Sequence, residues 1–193
     1  MSQAIQVMLN DVEKAYLFDV ARQAIEVGLD NGSVSDIPEL PTPPTELVAR
    51  PLGGVFVTLN ANSMLRGCIG MMQATGPMNQ MVWRMAQAAA FGDSRFPPVT
   101  RQEWPDISLE ITILGPLTVC PDRRLIELGR HGLLLRLGQY SAVFLPQVPV
   151  EQGWSLEQTL DQLCRKAGLR PGLWSDPQAT LFWFEGLVLH ADA

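Results

Sequence analysis

Between Ile107 and Leu114 the chain alternates with period two: Ile107, Leu109, Ile111 and Ile113 are separated by Ser108, Glu110 and Thr112. Successive side chains of a strand point to opposite faces, so this segment buries one face and leaves the other polar. A strand of that kind fits an antiparallel sheet with helices on its buried side.

The rest of the chain reads consistently with it. Val55–Leu59 is rich in β-formers, Asn60, Ala61, Asn62 and Ser63 supply turn chemistry, and Leu65–Ile69 returns as the partner strand. Leu133–Leu137 and Ser141–Leu145 flank Gly138-Gln139-Tyr140 as a second hairpin, and Leu181–Leu189, apolar on both faces, reads as a central last strand. Asn10 with Glu13 marks a helix start, with Gly28 as its expected stop. Pro77–Phe91 reads as a helix ended by Gly92, with Met78, Met81 and Met85 on its core side. Thr100 with Glu103, and Ser155 with Gln158, repeat the capping signature. Residues 30–45 hold four prolines and read as an irregular connection. The expected fold class is α+β, with mainly antiparallel sheets, flanking helices and two closely packed lobes in one domain over 1–193.

Composition narrows the function classes. The 193 residues are 47% hydrophobic and carry a formal net charge of -6, which argues against bulk nucleic-acid binding. No long apolar run suggests a membrane span, and Met1–Ile5 lacks the features of a signal peptide, so a cytoplasmic protein is expected. The cysteines Cys68, Cys120 and Cys164 are far apart and form no zinc-type pair; neither a metal nor a cofactor is expected.

Chemistry concentrates in Leu65-Arg66-Gly67-Cys68-Ile69-Gly70. Gly67 and Gly70 leave the sulfur of Cys68 open to a ligand, and strict alternation would put Arg66 and Cys68 on one face, where a guanidinium favours the thiolate. Cys68 is therefore a candidate nucleophile; as a free cysteine it equally suits a buried packing role. His131 and Glu110 are the candidate proton acceptors, although His131 equally suits a capping or hydrogen-bonding role in its own loop and Glu110 an ion pair with Arg66 or Arg95. Asp93 and Arg95 follow a helix: a locked turn is one reading, an anion clamp the other. Gln147, between Pro146 and Pro149, can read a ligand edge or stitch its own loop.

Taken together, LRGCIG, the run Ala89–Pro98, the strand Ile107–Ile111, and Phe144–Val148 followed by Gly153-Trp154 resemble, in the same order, the AMMECR family over about residues 11–189. Gly92 and Ser94 depart from the residues many relatives carry around Asp93, while Asp93 and Arg95 stand in place. The resemblance implies a two-lobed α+β domain with the cysteine motif on a strand beside a cleft. It also implies the AmmeMemoRadiSam grouping, with Memo-like and radical-SAM proteins as partners; it transfers no reaction. The leading expectation is an accessory protein that binds a small-molecule ligand or a partner near Arg66, Gly67, Cys68, Gly70, Asp93, Arg95 and Gln147. The alternative is a cysteine-dependent enzyme with Cys68 as nucleophile.

Overall fold

The computed structural model describes residues 7–32 and 34–191; Met1–Ile5 and Ser33 of the proline-rich connection lie outside them. The fold is α+β, and the described residues divide into two compact units, residues 8–114 with 187–191, and residue 7 with 115–186.

In the first unit α1 spans Asp11–Asn31. The Asn10 side chain accepts the Glu13 N–H at 2.9 Å, and the Glu13 carboxylate accepts the Asn10 N–H at 2.7 Å, the reciprocal cap that the sequence announces. The helix does not stop at Gly28. It runs on to Gly32, whose left-handed φ of 71° closes it. Gly28 is there for packing: a Cβ would sit 2.2 Å from the ring of Phe91. After an extended connection and the short α2 (Thr45–Ala49), Arg50 reaches back to the fully buried Glu13 at 2.7 Å.

Strands β1 (Val55–Ala61) and β2 (Met64–Met71) form a hairpin whose two-residue turn, Asn62-Ser63, has both residues at positive φ, 51° and 62°. The turn is shorter than the four residues expected, because β1 continues through Ala61. Helix α3 (Met78–Gln87) passes into a π-helical turn, Ala88–Gly92. Thr100 and Glu103 make their capping bonds, but only a 3-10 turn, Trp104–Asp106, follows before β3 (Ile107–Leu114) begins. Strand β1 lies between β2 and β3 in antiparallel pairing, so β2 is an edge here. Val55, Val57, Leu59, Ile111 and Ile113 are sealed on the inner face, and α3 packs on β1 with α1 against α3.

The second unit contains β4 (Thr118–Val119), β5 (His131–Leu137), β6 (Tyr140–Phe144), α4 (Gln147–Glu151), α5 (Leu156–Lys166) and β7 (Thr180–His190). β7 lies between β4 and β5, as its two apolar faces require, and β6 pairs β5 from the other side. Leu133, Leu135, Leu160, Leu163, Cys164 and Trp183 form its core. Residues 187–190 of β7 belong to the first unit, where Ala191 N–H donates to Leu109 C=O at 3.2 Å. Among the described residues no helix is long and apolar enough to cross a membrane.

Candidate functional site

The LRGCIG segment forms β2, and its register contains an irregularity that decides the site. Asn60 pairs with Leu65, but Leu59 pairs with Gly67, so Arg66 is an extra, bulged residue. Plain alternation therefore fails across it. Cys68 lies opposite Thr58, and Leu65, opposite Asn60, shares their face; Gly67 turns inward beside Leu59. A Cβ on Gly67 would meet the Ala89 carbonyl at 2.2 Å, so this glycine lets β2 rest on the π-helical turn. Gly70 has a different duty: the Phe56 ring lies where its Cβ would be, at 2.2 Å.

That π-helical turn delivers Asp93 to the open edge of β2. The buried Asp93 carboxylate accepts the Cys68 N–H at 2.9 Å, and Arg95 donates to the Cys68 carbonyl at 3.1 Å. Asp93 also takes the Arg95 N–H at 3.1 Å and the Arg95 guanidinium at 2.7 and 2.9 Å. Both backbone groups of Cys68 thus point outward to one side-chain pair, which completes the edge as a neighbouring strand would. Hydrogen bonding from Arg95, and then from the Cys68 N–H, holds the Asp93 carboxyl far below the usual carboxylate range; the same bond raises Arg95. The locked turn read from the sequence is present, and the Arg95 fork is occupied by Asp93 and the Cys68 carbonyl.

Because its backbone bonds face outward, Cys68 forms a non-hydrogen-bonded pair with Thr58, the closer of the two antiparallel spacings. The Thr58 hydroxyl accordingly donates to the Cys68 Sγ at 3.3 Å. Glu110 stands opposite Thr58 on β3, so Cys68, Thr58 and Glu110 form one row across the half-buried polar face. Glu110 meets neither Arg66 nor Arg95: its Oε2 lies 3.5 Å from His190 Nδ1. Among the described residues no titratable side chain is hydrogen-bonded to the Cys68 sulfur.

Arg66 does not stand over the sulfur as alternation predicts. The bulge sends its guanidinium to the 96–103 loop, where Nε donates to Glu103 at 2.6 Å and Nη2 to the Pro98 carbonyl at 3.3 Å. Burial pushes the Glu103 carboxyl up, but the bonds from Arg66 and Thr100 outweigh it and leave it lowered. The cation near the cysteine backbone is Arg95.

His131 and Gln147 belong to the second unit. His131 opens β5, buried, its Nδ1 accepting the Glu127 N–H at 2.9 Å and its ring 4.6 Å from that of Trp183. Burial, with Arg130 beside it, lowers its pKa and favours the neutral ring. Gln147 begins α4 with an exposed side chain, Pro149 being the buried residue of that short helix. No group of three or more His, Cys, Asp or Glu side chains suits a metal ion among the described residues.

Sequence reasoning missed Thr58 and the pairing of His190 with Glu110, and read Glu103 as a capping residue alone, without its bond to Arg66. Thr58 follows from the two-residue turn only once the bulge is known; counting back without it places Cys68 opposite Val57.

With this hairpin, its clamp and the α+β fold in view, the chain belongs to the AMMECR1 family, whose profile matches residues 18–189. A protein of Thermococcus gammatolerans is 42% identical over 187 residues, covering 92% of this chain and 89% of that one. A protein of Nanoarchaeum equitans is 34% identical over 183 residues, covering 91% and 99%. The crystal structure of an uncharacterized protein of Pyrococcus horikoshii matches with a TM-score of 0.77 at 35% identity, covering 94% of this chain and 92% of that one.

Proposed function

We propose that this protein is a cytoplasmic accessory protein that binds through the Cys68 face and acts with Memo-like and radical-SAM proteins. The observation that carries the reading is the clamp: Asp93 and Arg95 fix both backbone groups of Cys68, while the sulfur receives a hydroxyl donor and no titratable acceptor among the described residues. A rigid, half-open row of Cys68, Thr58 and Glu110 suits recognition, where prior ordering lowers the cost of binding. Nucleophilic catalysis needs a base in hydrogen-bond reach, directly or through one water. The alternative of a cysteine-dependent enzyme draws support from the half-buried Cys68 sulfur, which keeps a hydroxyl donor, Thr58, at 3.3 Å.

Calorimetric titration of the purified chain with Memo-like and radical-SAM proteins from the same genome tests the proposal. The expected result is binding of at least one of them that Glu110→Gln with Thr58→Val weakens by about tenfold, roughly 1.4 kcal/mol. Turnover of a small electrophilic substrate, abolished by Cys68→Ser, with no binding of either protein, supports the enzyme instead.

A further inference from the structure

The second unit contains a recess that the Cys68 site does not use. Its volume is about 690 Å³, within the range of small-molecule sites, and Val119, Cys120, Arg123, Trp174, Ala179 and Leu181 line it. The charged neighbours are already assorted. Asp122 accepts Arg124 through both carboxylate oxygens, at 2.6–3.1 Å, and the Arg124 bond lowers its carboxyl to about 2. Arg124 is therefore spoken for. The side chain of Arg123 makes neither a hydrogen bond nor an ion pair among the described residues; its guanidinium lies 4.6 Å from the centre of the Trp174 ring.

Trp174 is itself held. Its indole N–H donates to Asp161 Oδ1 at 2.8 Å, and the same oxygen accepts the Gly172 N–H at 2.9 Å. A fixed aromatic platform thus carries a flat cation whose donor edge is free. That fork suits an oxyanion, the cation and indole beside it suit a planar ring, and Val119, Ala179 and Leu181 supply an apolar wall. In a chain of net charge -6 an unpaired, stacked arginine at a recess is a selective feature.

We infer that this recess binds a small organic anion in which a carboxylate or phosphate is joined to a planar ring, the oxyanion on Arg123 and the ring beside the guanidinium and the Trp174 indole. Calorimetry of the full chain with adenosine 5′-monophosphate, indole-3-acetate and inorganic phosphate tests it. One ring-bearing probe is expected to bind saturably, and to weaken at least about tenfold in Arg123→Gln. Which probe binds names the oxyanion. The Trp174 indole N–H resonance, assigned with Trp174→Phe, should shift during the titration of the unmodified chain. The inference is overturned if neither ring-bearing probe binds saturably, if phosphate alone binds as tightly as the nucleotide, or if Arg123→Gln, folded by circular dichroism, keeps full affinity.

Discussion

The carboxylate of Asp93 accepts the backbone N–H of Cys68 at 2.9 Å, across 25 positions of sequence. One buried side chain from the end of a π-helical turn therefore fixes the position of the cysteine that gives the LRGCIG segment its chemistry. Arg95 closes the other half of the clamp at the Cys68 carbonyl. The site is rigid because an edge strand has been given a side-chain partner where backbone pairing is absent.

Asp93→Asn keeps one acceptor and loses the charge that holds Arg95. The expected cost is about 2 kcal/mol, the range for a hydrogen bond to a charged group. Thermal unfolding checks it. Because the folded carboxyl titrates below its unfolded value, near 4, this contribution is complete above that pH and is lost as pH falls further. In Asp93→Asn the acid branch of the stability profile should flatten.

Alkylation of Cys68 separates its two candidate helpers. Thr58→Val removes the hydroxyl donor at 3.3 Å and should slow alkylation about threefold at fixed pH. Arg66→Ala should change that rate by less than about twofold, since the guanidinium is engaged at Glu103. Equal slowing in both variants would restore Arg66 to the sulfur.

Gly67→Ala places a methyl 2.2 Å from the Ala89 carbonyl, a backbone atom that cannot swing aside. The strand must lift from the π-helical turn, at a cost of about 1–3 kcal/mol. Calorimetric melting should show the loss, and amide exchange at Cys68 should rise as the Asp93 bond lengthens.

His131 gives the second unit a separate pH dependence. Burial, then Arg130, depresses its pKa, while Glu127 and Glu185 oppose that shift. The unfolded ring takes up its proton first, near pH 6.5, so stability falls as pH drops from there through the lower folded value. His131→Gln should remove that slope from melting temperatures measured across the same interval.

Much of this fold is legible in the sequence. The alternation of Ile107–Leu114 holds from Ser108 to Ile111, with Leu109 and Ile111 buried between less buried Ser108 and Glu110, but Thr112 is buried as well; the caps at Asn10 and Ser155 form the reciprocal bonds their residue types announce. What was not legible is tertiary. A glycine that permits ring packing and a glycine that ends a helix look alike in one dimension, and Gly28 is the former. The bulge at Arg66 is set by the pairing of Leu59 with Gly67, and no local preference reveals it; yet it decides that Thr58, rather than Val57, faces the cysteine. Asp93 and Arg95 were visible as a turn, but their bonds to Cys68 depend on a π-helical turn that the apolar run Ala88–Phe91 does not distinguish from ordinary helix.

On the proposed function, the Cys68 face is covered when a Memo-like or radical-SAM protein binds. The direct measurement is the rate of Cys68 modification by a small alkylating reagent, with and without the Memo-like and radical-SAM proteins, read by peptide mass spectrometry against Cys120 of the second unit. The account predicts at least about tenfold protection of Cys68 by one of the two proteins. An unchanged Cys68 rate at saturating concentrations of both would contradict it.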